Sequence, residues 1–148
     1  MMSIMDTDQN TELQLVIALD RTATSVVRAV DRGISAHHGL GLSDLGLLLE
    51  LADAPGGKLR RSELAERLGI TASGVARQLG PLERIGVVDR ESNPKDARLA
   101  LVVLTKAGRQ LAKDASVTAQ EAAERVLAGR WAAKDQGALA RLIGVAPR

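Results

Sequence analysis

The sequence predicts a mostly α-helical fold that contains one small β-hairpin. Apolar residues recur at helical spacing over several long segments, whereas alternating apolar and polar residues are confined to residues 87–104. Two short helical segments, separated by a turn at Gly69, come directly before this alternating region. Two short helices followed by a hairpin is the element order of a winged helix-turn-helix lobe, with the hairpin as the wing. Longer helices on both sides of this lobe complete the prediction.

The first of these longer helices is expected from Thr11 to about Ala36. Its apolar residues form two stripes, one of Leu13, Val16, Ile17, Val27 and Ile34 and the other of Leu15, Leu19, Val26 and Val30. A helix at the surface of a monomer needs only one apolar stripe. The second stripe therefore leaves two interpretations open, a helix buried within its own subunit or a helix shared between two subunits.

The next two helices are short and have clear stop signals. Ser43 is the expected N-cap of LSDLGLLLELAD, which the turn at residues 55–57 ends. Ser62 is the expected N-cap of RSELAERLG, and Gly69 is its stop. The apolar density of the first segment indicates a helix buried at the centre of the lobe.

The helix after Gly69 is expected to present a polar, solvent-exposed face to a binding partner. Thr71 is its expected N-cap, and the segment TASGVARQLGPLERIG has apolar residues at helical spacing. Small and hydrogen-bonding residues are left on its first turns and opposite side: Ala72, Ser73, Arg77 and Gln78. Such residues allow close approach to base edges in the major groove of duplex DNA.

Beyond this helix the sequence predicts the wing and two more helices. VVDRE and RLALVVLT are the expected strands around the loop SNPKDA. Thr105 caps an alanine-rich helix to about Ala128, Gly129 interrupts it, and a last helix covers about Asp135 to Ile143. The helices at both ends of the chain have apolar faces and little domain to cover them, which favours a dimer.

Four short motifs in this order resemble the MarR family of bacterial transcriptional regulators. They are SELAERLGI, LExxGxV starting at Leu82, the wing residues 96–98, and LTKAG starting at Leu104, and the resemblance also extends over the flanking helices. The resemblance implies a single unit over residues 1–148, with a DNA-binding lobe at about 43–104 and dimerisation helices at about 11–37 and 106–146. Pro81 lies inside the predicted helix, where it lacks an amide donor and crowds the carbonyl of Arg77. We therefore expect a bend after Gly80.

The candidate DNA contacts follow from side-chain chemistry. Arg77 suits a forked contact to guanine and Gln78 a paired contact to adenine, while Thr71 and Ser73 suit phosphates or base edges. Arg98 at the wing tip suits the narrow minor groove, and the resemblance implies that Asp96 holds it in place. The other expected phosphate contacts are Arg84, Arg90 and Lys95. The alternative for all of these residues is ordinary solvation or a weak surface ion pair.

Charge and composition exclude several classes of function. Residues 58–109 hold eleven Lys or Arg against six Asp or Glu, whereas the rest of the chain has more acidic than basic residues. Basic charge thus gathers on the predicted lobe, as nucleic-acid binding requires. With no cysteine and with only the adjacent His37 and His38, we expect no metal site, no cofactor and no catalytic centre. We also expect no membrane segment and a cytoplasmic location.

The sequence therefore predicts a homodimeric regulator that binds a pseudo-palindromic site in double-stranded DNA. Two-fold symmetry would place the half-sites about one turn, ~10 base pairs, apart. The resemblance implies repression as the usual mode and, as a further option, relief by a small-molecule effector bound between the dimer helices and the lobes. Two alternatives stay open, a winged-helix module that binds proteins without reading DNA and a carrier or enzyme for an aliphatic ligand.

Overall fold

A computed structural model describes residues 11–92, 94–96 and 99–145. Within these residues the chain forms six α-helices and three short strands. In chain order they are α1 (Thr11–His38), α2 (Leu42–Asp53), β1 (Lys58–Arg60), α3 (Arg61–Leu68), α4 (Ala72–Arg84), β2 (Val88–Glu91), β3 (Leu101–Leu104), α5 (Lys106–Ala128) and α6 (Ala133–Leu142). The predicted fold class, a mostly helical chain with a small wing, is confirmed.

Two of the four predicted N-caps are confirmed. The Thr71 hydroxyl accepts a hydrogen bond from the Gly74 amide at 3.0 Å, and the Thr105 hydroxyl accepts one from the Gly108 amide at 3.0 Å. Each hydroxyl satisfies an amide that the first helical turn would otherwise leave without a partner. These two caps fix where α4 and α5 begin.

The other two predicted caps, Ser43 and Ser62, are wrong because both residues lie inside their helices. The residue before α3 is Arg60, whose amide donates to the Glu63 carboxylate at 2.8 Å. At the start of α2, the amide of Gly41 donates to the Asp44 carboxylate at 3.0 Å. An acidic residue in the first turn, reaching back to the chain before the helix, therefore takes the place of the expected serine hydroxyl.

The sheet has the order β1-β3-β2 and is antiparallel throughout. Leu59 of β1 pairs with Val102 of β3, and Val88 of β2 pairs with Leu104. The sequence predicts β2 and β3 but not β1, because a strand of three residues is too short to show alternation. β1 nevertheless has a structural role, since it joins α2 to the outer edge of the wing sheet.

The core is aliphatic and centres on α2. Leu45, Leu47, Leu48 and Leu51 are buried, and they pack with buried residues of α3, α4 and the sheet. Burial of these side chains is the main source of stability of the lobe. The prediction of a buried α2 is therefore confirmed.

Glycines let α1 and the wing approach α5 closely. A Cβ atom on Gly33 of α1 would lie 2.9 Å from the Cβ of Ala122, and one on Gly108 would lie 1.9 Å from the Val87 carbonyl oxygen. Both distances are too short for any other residue without a shift of the backbone. Gly108, the last residue of the LTKAG motif, is thus required by the contact between the first turn of α5 and Val87, the residue before β2.

The helix α4 continues through Pro81 to Arg84 without interruption. Pro81 lies in the last turn but one of the helix, beyond its first two turns. Thr71 to Gln78 therefore start a regular helix, as expected, while the bend after Gly80 stays a prediction.

The apolar faces of the terminal helices remain open to solvent. Residues 11–21 of α1 are all exposed, and Leu15 and Leu19 are 59% and 53% exposed. At the other end Leu142, Ile143 and Val145 are exposed as well. Among residues 11–92, 94–96 and 99–145, no helix is both long enough and apolar enough to cross a membrane.

Candidate nucleic-acid interface

The first two turns of α4 present an exposed polar face of the lobe. Thr71, Ser73 and Arg77 are exposed, whereas Val75 and Leu79 on the opposite side are fully buried. The Thr71 and Ser73 hydroxyl oxygens are 3.1 Å apart and share a hydrogen bond. The core therefore fixes the helix from one side and presents three of the predicted DNA contacts on the other.

Gln78 is the exception to this arrangement. It is half-buried, and its Oε1 atom is buried with no hydrogen-bond partner among the described residues. The side chain lines a surface depression together with Asp44, Thr71, Arg77 and Pro81. Gln78 is thus less accessible than Arg77 but lines the same depression, and its contact with adenine stays a prediction.

A second depression joins α4 to the start of α3. Its volume is about 440 Å³, and it is lined by Arg60, Arg61, Ser62, Ala72, Ser73, Ala76 and Ala100. Two guanidinium groups and two hydroxyls beside small alanine side chains can hold a phosphate of a nucleic-acid backbone. Arg60, Arg61 and Ser62 are absent from the contacts predicted from sequence. The signal that could have found them is the Arg60-Arg61 pair at the start of a short helix.

Ion pairs tie the wing to the rest of the lobe. Arg90 Nε of β2 donates to the Glu83 carboxylate of α4 at 2.6 Å, and the Lys58 ammonium of β1 pairs with Glu91. The sequence predicts a direct contact of Arg90 with a phosphate. In the structure the Arg90 side chain is 53% exposed and its guanidinium pairs with Glu83, so it links the wing to the end of α4.

The remaining predicted contacts occupy the edges of the same surface. Arg84 is exposed at the last residue of α4, and Lys95 and Asp96 are exposed in the loop between β2 and β3. Arg98 lies outside the described residues, and the pairing of Arg98 with Asp96 therefore stays a prediction. The DNA contacts expected of Arg84, Lys95 and Asp96 stay predictions too.

The two histidines each have a partner within the subunit. His37 Nδ1 donates to the Gly33 carbonyl at 3.1 Å, and His38 Nε2 is 2.8 Å from the Thr118 hydroxyl of α5. Both residues are in the last turn of α1, as expected. The contact of His38 with Thr118 ties the end of α1 to α5.

Comparison with known proteins gives the same assignment for the lobe. Residues 38–99 match the model of the MarR family. Two Bacillus subtilis proteins, both uncharacterized HTH-type transcriptional regulators, share sequence with this chain. YdgJ is 38% identical over 72 residues, and YxaD is 32% identical over 87 residues. These stretches are 49% and 59% of this chain, but only 43% of YdgJ and 60% of YxaD, so the chain spans less than two thirds of either relative.

Similarity to a solved structure extends over most of the chain. Sco3205 is a MarR family transcriptional regulator from Streptomyces coelicolor whose crystal structure is a complex with DNA. It superposes with a TM-score of 0.77 at 29% identity, covering 91% of this chain and 86% of Sco3205. The role of these relatives is regulatory rather than enzymatic, in agreement with the expectation from the sequence. Residues 38–99, which hold most of the winged helix-turn-helix lobe, are thus similar to the MarR family of transcriptional regulators.

Proposed function

We propose that this protein is a transcriptional regulator that binds double-stranded DNA in a sequence-specific manner. The observation that carries the proposal is the exposed, polar first half of α4, held rigidly by Val75 and Leu79 beside the basic depression at α3 and the wing. A helix of this kind reads base edges from the major groove, while basic groups on either side contact phosphates. The crystal structure of Sco3205 with DNA supports this proposal.

The DNA contacts divide into two groups by position. Thr71, Ser73 and Arg77 lie on the helix that enters the major groove, and Gln78 borders them. Phosphate contacts come from the periphery: Arg60, Arg61, Arg84, Lys95 and Arg90, whose side chain is 53% exposed beside its ion pair with Glu83. Arg98, two residues after Asp96, is assigned to the minor groove.

The active form in this proposal is a homodimer. An apolar groove of about 590 Å³ runs between α1 and the C-terminal segment, lined by Leu15, Leu19, Val26, Leu127, Trp131, Leu139 and Ile143 among others. A groove with so little polar lining, next to further exposed leucines, is unfavourable in water unless a second surface covers it. We assign this groove to a second copy of the chain, with α1, α5 and α6 as the dimerisation helices.

A two-fold dimer determines the form of the DNA site. Each subunit would place one α4 in the major groove, so the operator is pseudo-palindromic with half-site centres about 10 base pairs apart. The protein acts in the cytoplasm in this proposal. Where the operator overlaps a promoter, binding of the protein represses transcription. A small-molecule effector would relieve repression only if it binds the DNA-compatible and DNA-incompatible spacings of the lobes with different affinities.

A salt titration with DNA tests the proposal. Binding of the purified protein to the DNA upstream of its own gene would be measured from low to moderate salt, with a scrambled duplex as competitor. We expect affinity for the upstream DNA to exceed that for the scrambled duplex and to fall steeply with salt, because phosphate contacts release counterions. Absence of binding to either duplex at low salt would contradict the proposal and favour a protein-binding module.

A further inference from the structure

A basic groove lies on the face of α1 that points away from the apolar groove. Its volume is about 450 Å³, and its lining includes four arginines but only one carboxylate, Asp20. The arginines are Arg21, Arg28, Arg32 and Arg130. Its described lining includes no residue of α2 to β3, so the groove is separate from the proposed DNA interface on α4.

Two different elements build this groove. Arg28 and Arg32 are one helical turn apart on α1, and Arg21 is two turns before Arg28, about 10 Å along the axis. Arg130 comes from the segment after α5, 105 residues from Ser25, and its guanidinium donates to the Ser25 hydroxyl. This hydrogen bond holds the fourth positive charge against a helix face that already has three.

Four exposed arginines close together form a local concentration of positive charge that a bound anion would offset. Within the part of the chain that the structure describes, the ion pairs are Lys58–Glu91, Arg67–Glu50 and Arg90–Glu83. None of them includes an arginine of the groove. Arginines one turn apart on a helix repel one another, and the terminal regions of the chain are otherwise acidic on balance. The groove therefore contrasts with its surroundings in both charge and shape.

We propose that this groove binds a small polyanion that carries two or more phosphate or carboxylate groups. Guanidinium groups form paired hydrogen bonds with the oxygens of these anions, and the Thr24 and Ser25 hydroxyls that line the groove add further polar contacts. The length of the arginine row suits a ligand with separated anionic groups. The apolar groove shares no lining residue with it.

Calorimetric titration of the full-length protein with sodium pyrophosphate and, separately, with citrate at constant ionic strength tests this proposal. We expect at least one of the two anions to bind, and the preferred one shows whether the site takes phosphates or carboxylates. The double variant Arg28→Gln/Arg32→Gln should weaken binding about ten-fold or more, since each guanidinium contributes charge-assisted hydrogen bonds. Arg125→Gln, an exposed arginine of α5 outside the groove, should bind as the unchanged protein does.

Further variants distinguish a forked contact from simple charge attraction. The Arg28→Lys/Arg32→Lys variant keeps both charges but lacks the planar fork, so it should bind more weakly than the unchanged protein and more tightly than the glutamine variant. Equal binding by all variants, or no binding of either anion, would overturn the proposal. If neither anion binds and the glutamine variant loses affinity only for duplex DNA, the groove contacts DNA phosphates instead. Since the anion titrations contain no DNA, their outcome is independent of the proposed regulatory function.

Discussion

Arg77 lies on a helix that packs on the core, while its own side chain is exposed and can contact DNA. It is exposed two residues after fully buried Val75 and one residue before half-buried Gln78, so its backbone is fixed while its guanidinium is free to meet a base. Periodicity in the sequence suffices to assign Arg77 to the open side of α4. The partial burial of Gln78 depends on how α4 packs against the neighbouring elements of the lobe, and the spacing of residues within one helix does not show this packing.

Replacement of Arg77 or Arg98 by alanine is expected to weaken operator binding by roughly 1–3 kcal/mol each. The reason is the loss of a forked contact to a base in one case and of a charge in the minor groove in the other. Fluorescence anisotropy with the operator and a scrambled duplex measures both effects. Arg125→Ala on α5 is the matched control, and unchanged affinity in both Arg77→Ala and Arg98→Ala would contradict the assigned reading surface.

Gly108→Ala is expected to destabilise the protein by about 1–3 kcal/mol, because the new methyl group would overlap the Val87 carbonyl oxygen and force a shift of the chain. Urea unfolding at constant pH measures the change. Gly46→Ala in α2 is the control: its Cβ would meet no atom within 4 Å, and alanine is the better helix former by about 1 kcal/mol. Equal stability of the Gly108→Ala variant and the unchanged protein would mean that α5 and β2 are not in close contact.

Among the elements, the long helices and the two caps at Thr71 and Thr105 were predictable because their signals are local. The strand β1 and the cap of α3 were not. β1 forms only because β3 offers a free edge, and Arg60 precedes α3 because β1 ends there. Both depend on a neighbour that is distant in sequence.

The contact between α4 and the wing is an element-scale feature that is testable. Arg90→Ala is expected to change the free energy of unfolding by less than about 1 kcal/mol, because the Arg90–Glu83 pair is partly exposed and solvent screens it. Urea unfolding of Arg90→Ala, Glu83→Ala and the double variant gives their coupling energy. A coupling energy above about 2 kcal/mol would show that the pair, rather than the hydrophobic contacts of Leu82 and Val88, holds the wing.

For the whole molecule, the exposed apolar groove predicts self-association. Leu19→Glu is expected to convert the dimer to a monomer, because it places a charge within the groove that the second copy covers. Analytical ultracentrifugation measures the mass. Leu49→Glu is the matched control, since Leu49 is an exposed leucine of α2 that does not line the groove. A monomeric unchanged protein, or a dimer in the Leu19→Glu variant, would contradict this assignment.

The dimer and the reading helix together give the central claim, that two copies of α4 read one two-fold DNA site. Selection of tight-binding sequences from a pool of randomised duplexes tests it and requires no assumption about the operator sequence. We predict enrichment of a pseudo-palindrome with half-site centres about 10 base pairs apart, and loss of preference within each half-site in the Arg77→Ala variant. A pool that remains random after repeated selection, or that yields a single half-site without symmetry, would contradict the claim.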